Sequence, residues 1–387
     1  MAVTKIILVP KLRFPEFNEK WHSVKIEDFA PLQRGFDLPV SKIKTGPFPV
    51  VFSNGALKTH VKYKAIAPGV ITGRSGTIGK VHFIEENYWP HNTSLWVTDY
   101  KGNYPKYVYF VYKRLNLKKF STGSGVPTLN RNNIHSYKIV VPNLDEQQKI
   151  ADFLTQVDNH IDLQQKKLDL LKKYKQGLMQ QIFSQKLRFK DDNGNEYPKW
   201  KERKLGDVFN YAKGTGLSKD DIIADGRNLC VLYGELYTTY SEVIYKVLSR
   251  TNKLEGTKSI KGDLLVPCST TTSGIDLANI TEITYNNVLL GGDITILRPK
   301  DAECSRFFAY YLTHYKTHDI SSYAQGSTIV HLYFNHFKKM IINIPSTKEQ
   351  QKIANFITFL DDKIMQEERK VEQFQQFKKP LLQQMFI

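Results

Sequence analysis

Pro142–Phe183 reads PNLDEQQKIADFLTQVDNHIDLQQKKLDLLKKYKQGLMQQIF, and Pro345–Phe386 reads PSTKEQQKIANFITFLDDKIMQEERKVEQFQQFKKPLLQQMF. The two stretches align without a gap at an offset of 203, with 17 of 42 positions identical. A repeat this long marks a duplicated structural unit. Within it, apolar residues recur at alternating steps of four and three, the period of a supercoiled helix. The first copy places Ile150, Leu154, Val157, Ile161, Leu168 and Leu171 on one stripe. The second places Ile353, Ile357, Leu360, Ile364, Val371 and Phe374 there. Polar interruptions fall at matching places, Gln164 with Glu367 and Lys175 with Lys378. Gly177 aligns with Pro380, so a bend or weak point is expected near each.

Each helix is expected to start near Asp145 or Lys348 and to run for about 39 residues, or roughly 58 Å. Two apolar stripes avoid water most simply by packing on each other. The bland alternative is that each helix packs on its own globular domain. An antiparallel pair lets the segment between the helices leave and re-enter at one place, as an inserted domain should. It also predicts a pseudo-twofold axis, with globular domains at opposite ends.

The globular segments repeat more weakly. Leu12-Arg13-Phe14 recurs as Leu187-Arg188-Phe189. Trp21 and Gly35 match Trp200 and Gly214 at an offset of 179, and Leu129 and Ile139 match Leu332 and Ile342 at 203. The growing offset implies insertions in the second domain. Short β-rich runs, such as Gly69–Ile71 and Ile294–Leu297, and short helices near Pro105–Leu115 and Cys304–His314 predict mixed α/β domains. The fold class is therefore α+β: two mixed α/β domains separated by two long antiparallel coiled-coil helices. The expected divisions are a first domain over 1–142, a first helix over 143–186, a second domain over 187–344 and a second helix over 345–387.

The chain has 387 residues and a formal net charge of +17. Residues 1–140 carry 21 basic and 8 acidic side chains, so most of the excess lies in the first third. A basic surface of this kind points to a polyanion, or more blandly to solubility alone. The three cysteines are far apart and form no CxxC pair, which argues against a disulfide scaffold or zinc ribbon and fits a reducing cytoplasm. No stretch approaches the roughly 18 apolar residues of a membrane helix.

The layout resembles the specificity subunit of type I restriction-modification enzymes. The resemblance is carried by the twin Glu-Gln-Gln-Lys-Ile-Ala strings (146–151 and 349–354), the Leu-Arg-Phe openings and Arg74-Ser75-Gly76-Thr77-Ile78-Gly79. It covers the chain from about residue 10 onward. The middle of the second domain departs most: Cys268–Gly274 stands where the first domain has its Arg-Ser-Gly string. The resemblance implies two target recognition domains, each reading one half of a bipartite double-stranded DNA site. It implies helices that set the spacing and dock methyltransferase subunits, two being expected, with restriction subunits further out. It also implies that this chain catalyses nothing and holds no cofactor. S-adenosylmethionine, ATP and magnesium then belong to the partners.

Several candidate contacts have a bland counterpart. Gly73–Lys80 is not a phosphate loop: it has one residue too many between Gly73 and Gly79, and Val81 stands where Ser or Thr should hold magnesium. Arg74, Ser75, Thr77 and Lys80 could instead reach a phosphate or a guanine edge, or form a tight turn with a solvated arginine. Lys118 and Lys119 read as phosphate contacts or as the solvated end of a helix. Ser124, Thr128, Asn130, Arg131 and Asn132 lie on a polar, glycine-rich stretch suited to DNA. Gln325, Ser327 and His331 match it in the second half. Ser269, Thr270 and Thr271 are either donors to DNA or a turn bonding its own backbone. His91 reads more simply as a structural histidine. No Asn-Pro-Pro-aromatic string, nuclease cluster or HExxH pattern occurs. A self-contained DNA modification enzyme and a dimeric coiled-coil scaffold remain as rival readings.

Overall fold

A computed structural model describes residues 9–122 and 127–387. Two long helices dominate it, Leu144–Phe183 and Thr347–Gln384. They begin within a residue or two of the expected starts. The first is capped by Asn143, whose Oδ1 accepts from Glu146 N at 3.0 Å. Both helices continue through Gly177 and Pro380 without interruption.

The chain divides into two compact units. One comprises residues 1–166 and 368–387, the other 167–367. Each contains part of both helices, so each can be described alone.

In the first unit, the four-stranded antiparallel sheet runs Leu32–Arg34, Ser94–Val97, Gly69–Gly73, Val81–Ile84. A three-stranded sheet runs Gly55–His60, Phe48–Phe52, Trp89–Pro90. His22–Lys25 pairs with Lys138–Val141, tying the start of the domain to its end. The helix Pro105–Arg114 buries Tyr107, Phe110 and Tyr112 against this framework. The same core takes in Ile150 and Leu154 from the first long helix, Leu381 from the second, and Met385 just past its end. Burying each such aliphatic side chain contributes about 1.5–3 kcal/mol.

The second unit repeats the plan with a larger sheet, in the order Phe209–Lys213, Ile294–Pro299, Leu264–Pro267, Thr281–Ile283, Val243–Ile244. Lys201–Lys204 pairs with Ile341–Ile344. A second sheet pairs Ser249–Thr251, Asn228–Val231 and Leu289–Leu290. The helix Ser305–His314 buries Phe307, Phe308, Tyr310 and Tyr311. Ile353 and Ile357 join this core with Met179 and Ile182.

Both expected packings therefore occur together. The first turns of each helix sit on the adjoining domain, and the last turns of the other helix complete that core. The helices are antiparallel within each unit. In the first, the rings of His160 and Phe374 lie 4.4 Å apart and Lys378 pairs with Asp158. In the second, Lys167 meets Glu367 at 3.0 Å and Lys175 meets Asp361 at 2.5 Å. Leu168, Leu360 and Val371 are buried; Val157, Ile161, Leu171, Ile364 and Phe374 are half-buried. The fold is thus the expected one: two mixed α/β domains and two long antiparallel helices.

The recurring motifs lock each domain to its helix. Glu146 is 1% exposed and takes a two-pronged ion pair from Arg13, with both distances 2.7 Å, and a bond from Trp21 Nε1 at 3.2 Å. Glu349 is fully buried and takes the same from Arg188, at 3.2 and 2.8 Å. Next to them, the Gln147 amide donates to Pro142 O and accepts from Tyr104 N. The Gln350 amide does the same with Pro345 O and Cys304 N. Each glutamine thereby satisfies a backbone donor at the start of its domain's own helix, Pro105–Arg114 or Ser305–His314.

Candidate nucleic-acid interface

Strand Gly69–Gly73 ends at Arg74, where three segments converge. Arg74 N donates to Thr93 O at 2.8 Å, and Arg74 O accepts from Leu129 N at 2.7 Å. Ser75 bridges to Thr128 in antiparallel register. Gly35 N donates to Ser94 O at 3.1 Å. A Cβ on Gly35 would fall 2.2 Å from His91 O, so only glycine allows the backbones to approach this closely. His91 is held by Thr93 Oγ1 and Leu38 O, a structural role.

Beside this cradle lies a cleft of about 650 Å³, lined by Arg34, Asp37, Arg74, Thr128, Asn130 and Arg131 among others. Arg34 pairs with Asp37 at 3.1 Å. Thus Arg74 is brought together with Thr128, Asn130 and Arg131, which lie far from it in sequence. Asn130 also caps the short helix Arg131–His135, accepting from Asn132 N at 3.0 Å.

The glycine-rich turn closes on itself. Gly76 and Gly79 adopt φ of +76° and +94°, and Thr72 Oγ1 donates to Lys80 O at 2.9 Å. Thr77 is half-buried and Lys80 exposed. The position a Cβ on Gly79 would occupy lies 3.5 Å from the Lys118 side chain, which places Lys118 against this turn. Lys119 is exposed, with its ammonium over the rings of Phe120 and Tyr137 at 4.9 and 4.3 Å. Asn132 is exposed. Ser124 lies outside the described residues.

The second unit builds the same backbone cradle. Cys268 N donates to Asp293 O at 2.8 Å, Leu332 N donates to Cys268 O at 2.9 Å, and Gly214 N donates to Ile294 O at 2.9 Å. Ser269 pairs with His331. A Cβ on Gly214 would fall 2.1 Å from Gly291 O. Cys268, Asp293, Leu332 and Gly214 therefore stand where Arg74, Thr93, Leu129 and Gly35 stand in the first.

The side chains differ. Cys268 is buried, burial pushes its thiol up to about 11, and its Sγ lies 3.0 Å from Thr295 Oγ1. Two of the expected donors are turned inward. Ser269 is 4% exposed and donates to Asp293 Oδ2 at 2.8 Å; Thr270 is 2% exposed and bonds Thr272 Oγ1 at 2.8 Å. These bonds to neighbouring side chains hold both hydroxyls inside the domain, and only Thr271 of the three is exposed. Gln325 pairs with His331 across a hairpin, at 2.9 and 2.7 Å, with Ser327 exposed near its tip.

Sequence reasoning passed over Lys213 and Tyr333. Lys213 precedes Gly214 as Arg34 precedes Gly35, so the offset of 179 could have found it. Its ammonium sits 4.9 Å from the Tyr333 ring, which stacks on His331 at 5.7 Å and 13°.

Among the described residues, no helix is long and apolar enough to cross a membrane. The model of the type I restriction modification DNA specificity domain matches residues 18–173 and again 197–373. The type I restriction enzyme MjaIX and MjaVIII specificity subunits of Methanocaldococcus jannaschii are each 23% identical to this chain, over 311 and 282 residues. Those alignments cover 73% and 69% of this chain, and 68% and 65% of the relatives, so the chain spans about two thirds of their length. The fold is similar to the type I restriction-modification S subunit from M. genitalium, with a TM-score of 0.63 at 16% identity over 98% of this chain and 99% of that one. With the family model matched twice, across most of the sequence, the chain belongs to the type I restriction modification DNA specificity domain family.

Proposed function

We propose that the chain is the non-catalytic DNA-specificity subunit of a type I restriction-modification complex. Each globular domain, 1–142 and 187–344, reads one half of a bipartite duplex site. The helical segments 143–186 and 345–387 set the spacing and dock methyltransferase subunits, two per chain. Restriction subunits join that assembly, and S-adenosylmethionine, ATP and magnesium are bound by the partners. The cytoplasm, where the DNA lies, is its place of action.

The observation that carries this reading is the cradle itself. One backbone arrangement occurs once in each unit, with different side chains around it. That is what two readers of two different half-sites require. The excess positive charge of residues 1–140 adds affinity through phosphates without sequence information. In the first domain the contacts are assigned to Arg74, Lys80, Lys118, Lys119, Thr128, Asn130 and Arg131, and in the second to Thr271, Gln325, Ser327 and His331.

Mapping methylated sites in the host genome with and without the chain tests the reading. A split recognition sequence should vanish when the chain is deleted. An unchanged methylation map would overturn it.

A further inference from the structure

The two cradles superpose position by position in their hydrogen bonding, which allows their side chains to be compared one at a time. Arg34, Arg74, Thr128 and Asn130 correspond to Lys213, Cys268, His331 and Tyr333. Arg34 and Lys213 occupy the last pairing positions of equivalent strands, opposite Leu95 and Thr295. Thr128 and His331 pair with Ser75 and Ser269. Asn130 and Tyr333 each precede a short helix as its cap residue.

We propose that these differences in side-chain chemistry set the two half-sites apart: a guanidinium at Arg74 reads a guanine in the first, and the Lys213–Tyr333–His331 shelf reads the second. The inference rests on the specificity-subunit reading above and deepens it. Among the described residues, the first cleft is lined by three arginines and one carboxylate, Asp37, which is engaged by Arg34. A guanidinium fork matches the O6 and N7 acceptors of guanine, whereas a single hydroxyl or neutral imidazole can donate only one bond to them. Domain 2 cannot present a fork at the matching place, because a buried, neutral thiol stands there. Its shelf instead offers an ammonium and a phenol, with Tyr333 Oη and His331 Nδ1 3.2 Å apart.

The test uses the full chain assembled with its methyltransferase partners and compares methylation across randomised half-sites. Glutamine pairs with adenine as arginine does with guanine. Arg74→Gln should therefore reduce preference for guanine over adenine at one position by about 10- to 100-fold, and leave the other half-site unchanged. Arg74→Lys should keep binding but weaken that discrimination. Tyr333→Phe should alter the other half-site alone. Among the described residues, Arg74 joins the cradle through its backbone N and O, so its variants should melt like the wild type. Uniformly weaker methylation with both preferences intact would make Arg74 a phosphate contact and overturn the proposal. So would Arg74 and Tyr333 variants that change the same half-site. A wild-type complex showing no bipartite preference would instead defeat the specificity-subunit reading.

Discussion

Glu146 and Glu349 are the most deeply buried carboxylates of the repeat, and each depends on an arginine from its own domain's opening motif. Removing one partner of a buried pair leaves an uncompensated charge, at a cost of about 3–5 kcal/mol. Arg13→Ala should therefore lower the urea midpoint of the chain markedly, and Arg188→Ala should do so equally. An unchanged midpoint would show that the lock is dispensable. Gly35→Ala should be damaging for a different reason, because its Cβ would overlap His91 O and force the cradle open. Methylation directed by one half-site should fail in that variant while the other half keeps its preference. The sequence displayed the Leu-Arg-Phe and Glu-Gln-Gln strings but not their union. Arg13 and Glu146 are 133 residues apart, and no periodicity links them. By contrast, the alignment of the Cys268 run with the Arg74 string was legible, because strand and turn residues flank both.

At the level of elements, the polar breaks in the heptads acquire a cause. Lys175 pairs with Asp361 and Lys378 with Asp158, the same contact made in each unit by residues 203 apart in sequence. A charged residue on an otherwise apolar stripe fixes register at some cost in stability. Lys378→Leu alone should destabilise the chain, since Asp158 then keeps, among the described residues, the longer pair with Lys113 at 3.5 Å. Adding Asp158→Leu should recover part of the loss, and a double-mutant cycle on urea midpoints would measure the coupling. The cluster in the second unit also includes Glu242, which faces Lys175 at 3.8 Å and bonds His314. Burial alone would raise its carboxyl, but the His314 bond and the Lys175 charge outweigh that and hold it at about 2, below its ordinary 4.5. A depressed carboxyl stabilises the fold above pH 4.5, and that contribution fades as pH falls toward 2. It amounts to roughly 3 kcal/mol at most. Glu242→Gln should be less stable than wild type at pH 7, with the gap narrowing below pH 4.5 and closing only toward pH 2. A gap independent of pH would rule this out. The helices themselves were legible because seven-residue periodicity is local; the ion pairs were not, because they need the antiparallel register.

For the whole molecule, the proposed function makes helix length a measure of DNA length. Inserting one heptad at matched positions in both helices adds about 10.5 Å of helix, close to three base-pair steps of about 3.4 Å. The preferred spacer between half-sites should lengthen accordingly, and sequencing of methylated sites would read it out. An unchanged spacer would remove the ruler. Fold class, the duplication and the positions of the long helices could be read from the chain because each is written twice. Which exposed side chains meet the cleft could not, since that depends on strands brought together across the domain.

The cradle also has an evolutionary consequence. Its bonds run between main-chain atoms, so arginine and cysteine occupy the same place without altering the framework. Mutation can therefore rewrite the letters being recognised while the scaffold that presents them is inherited intact, and a lineage can acquire new targets without reinventing its architecture.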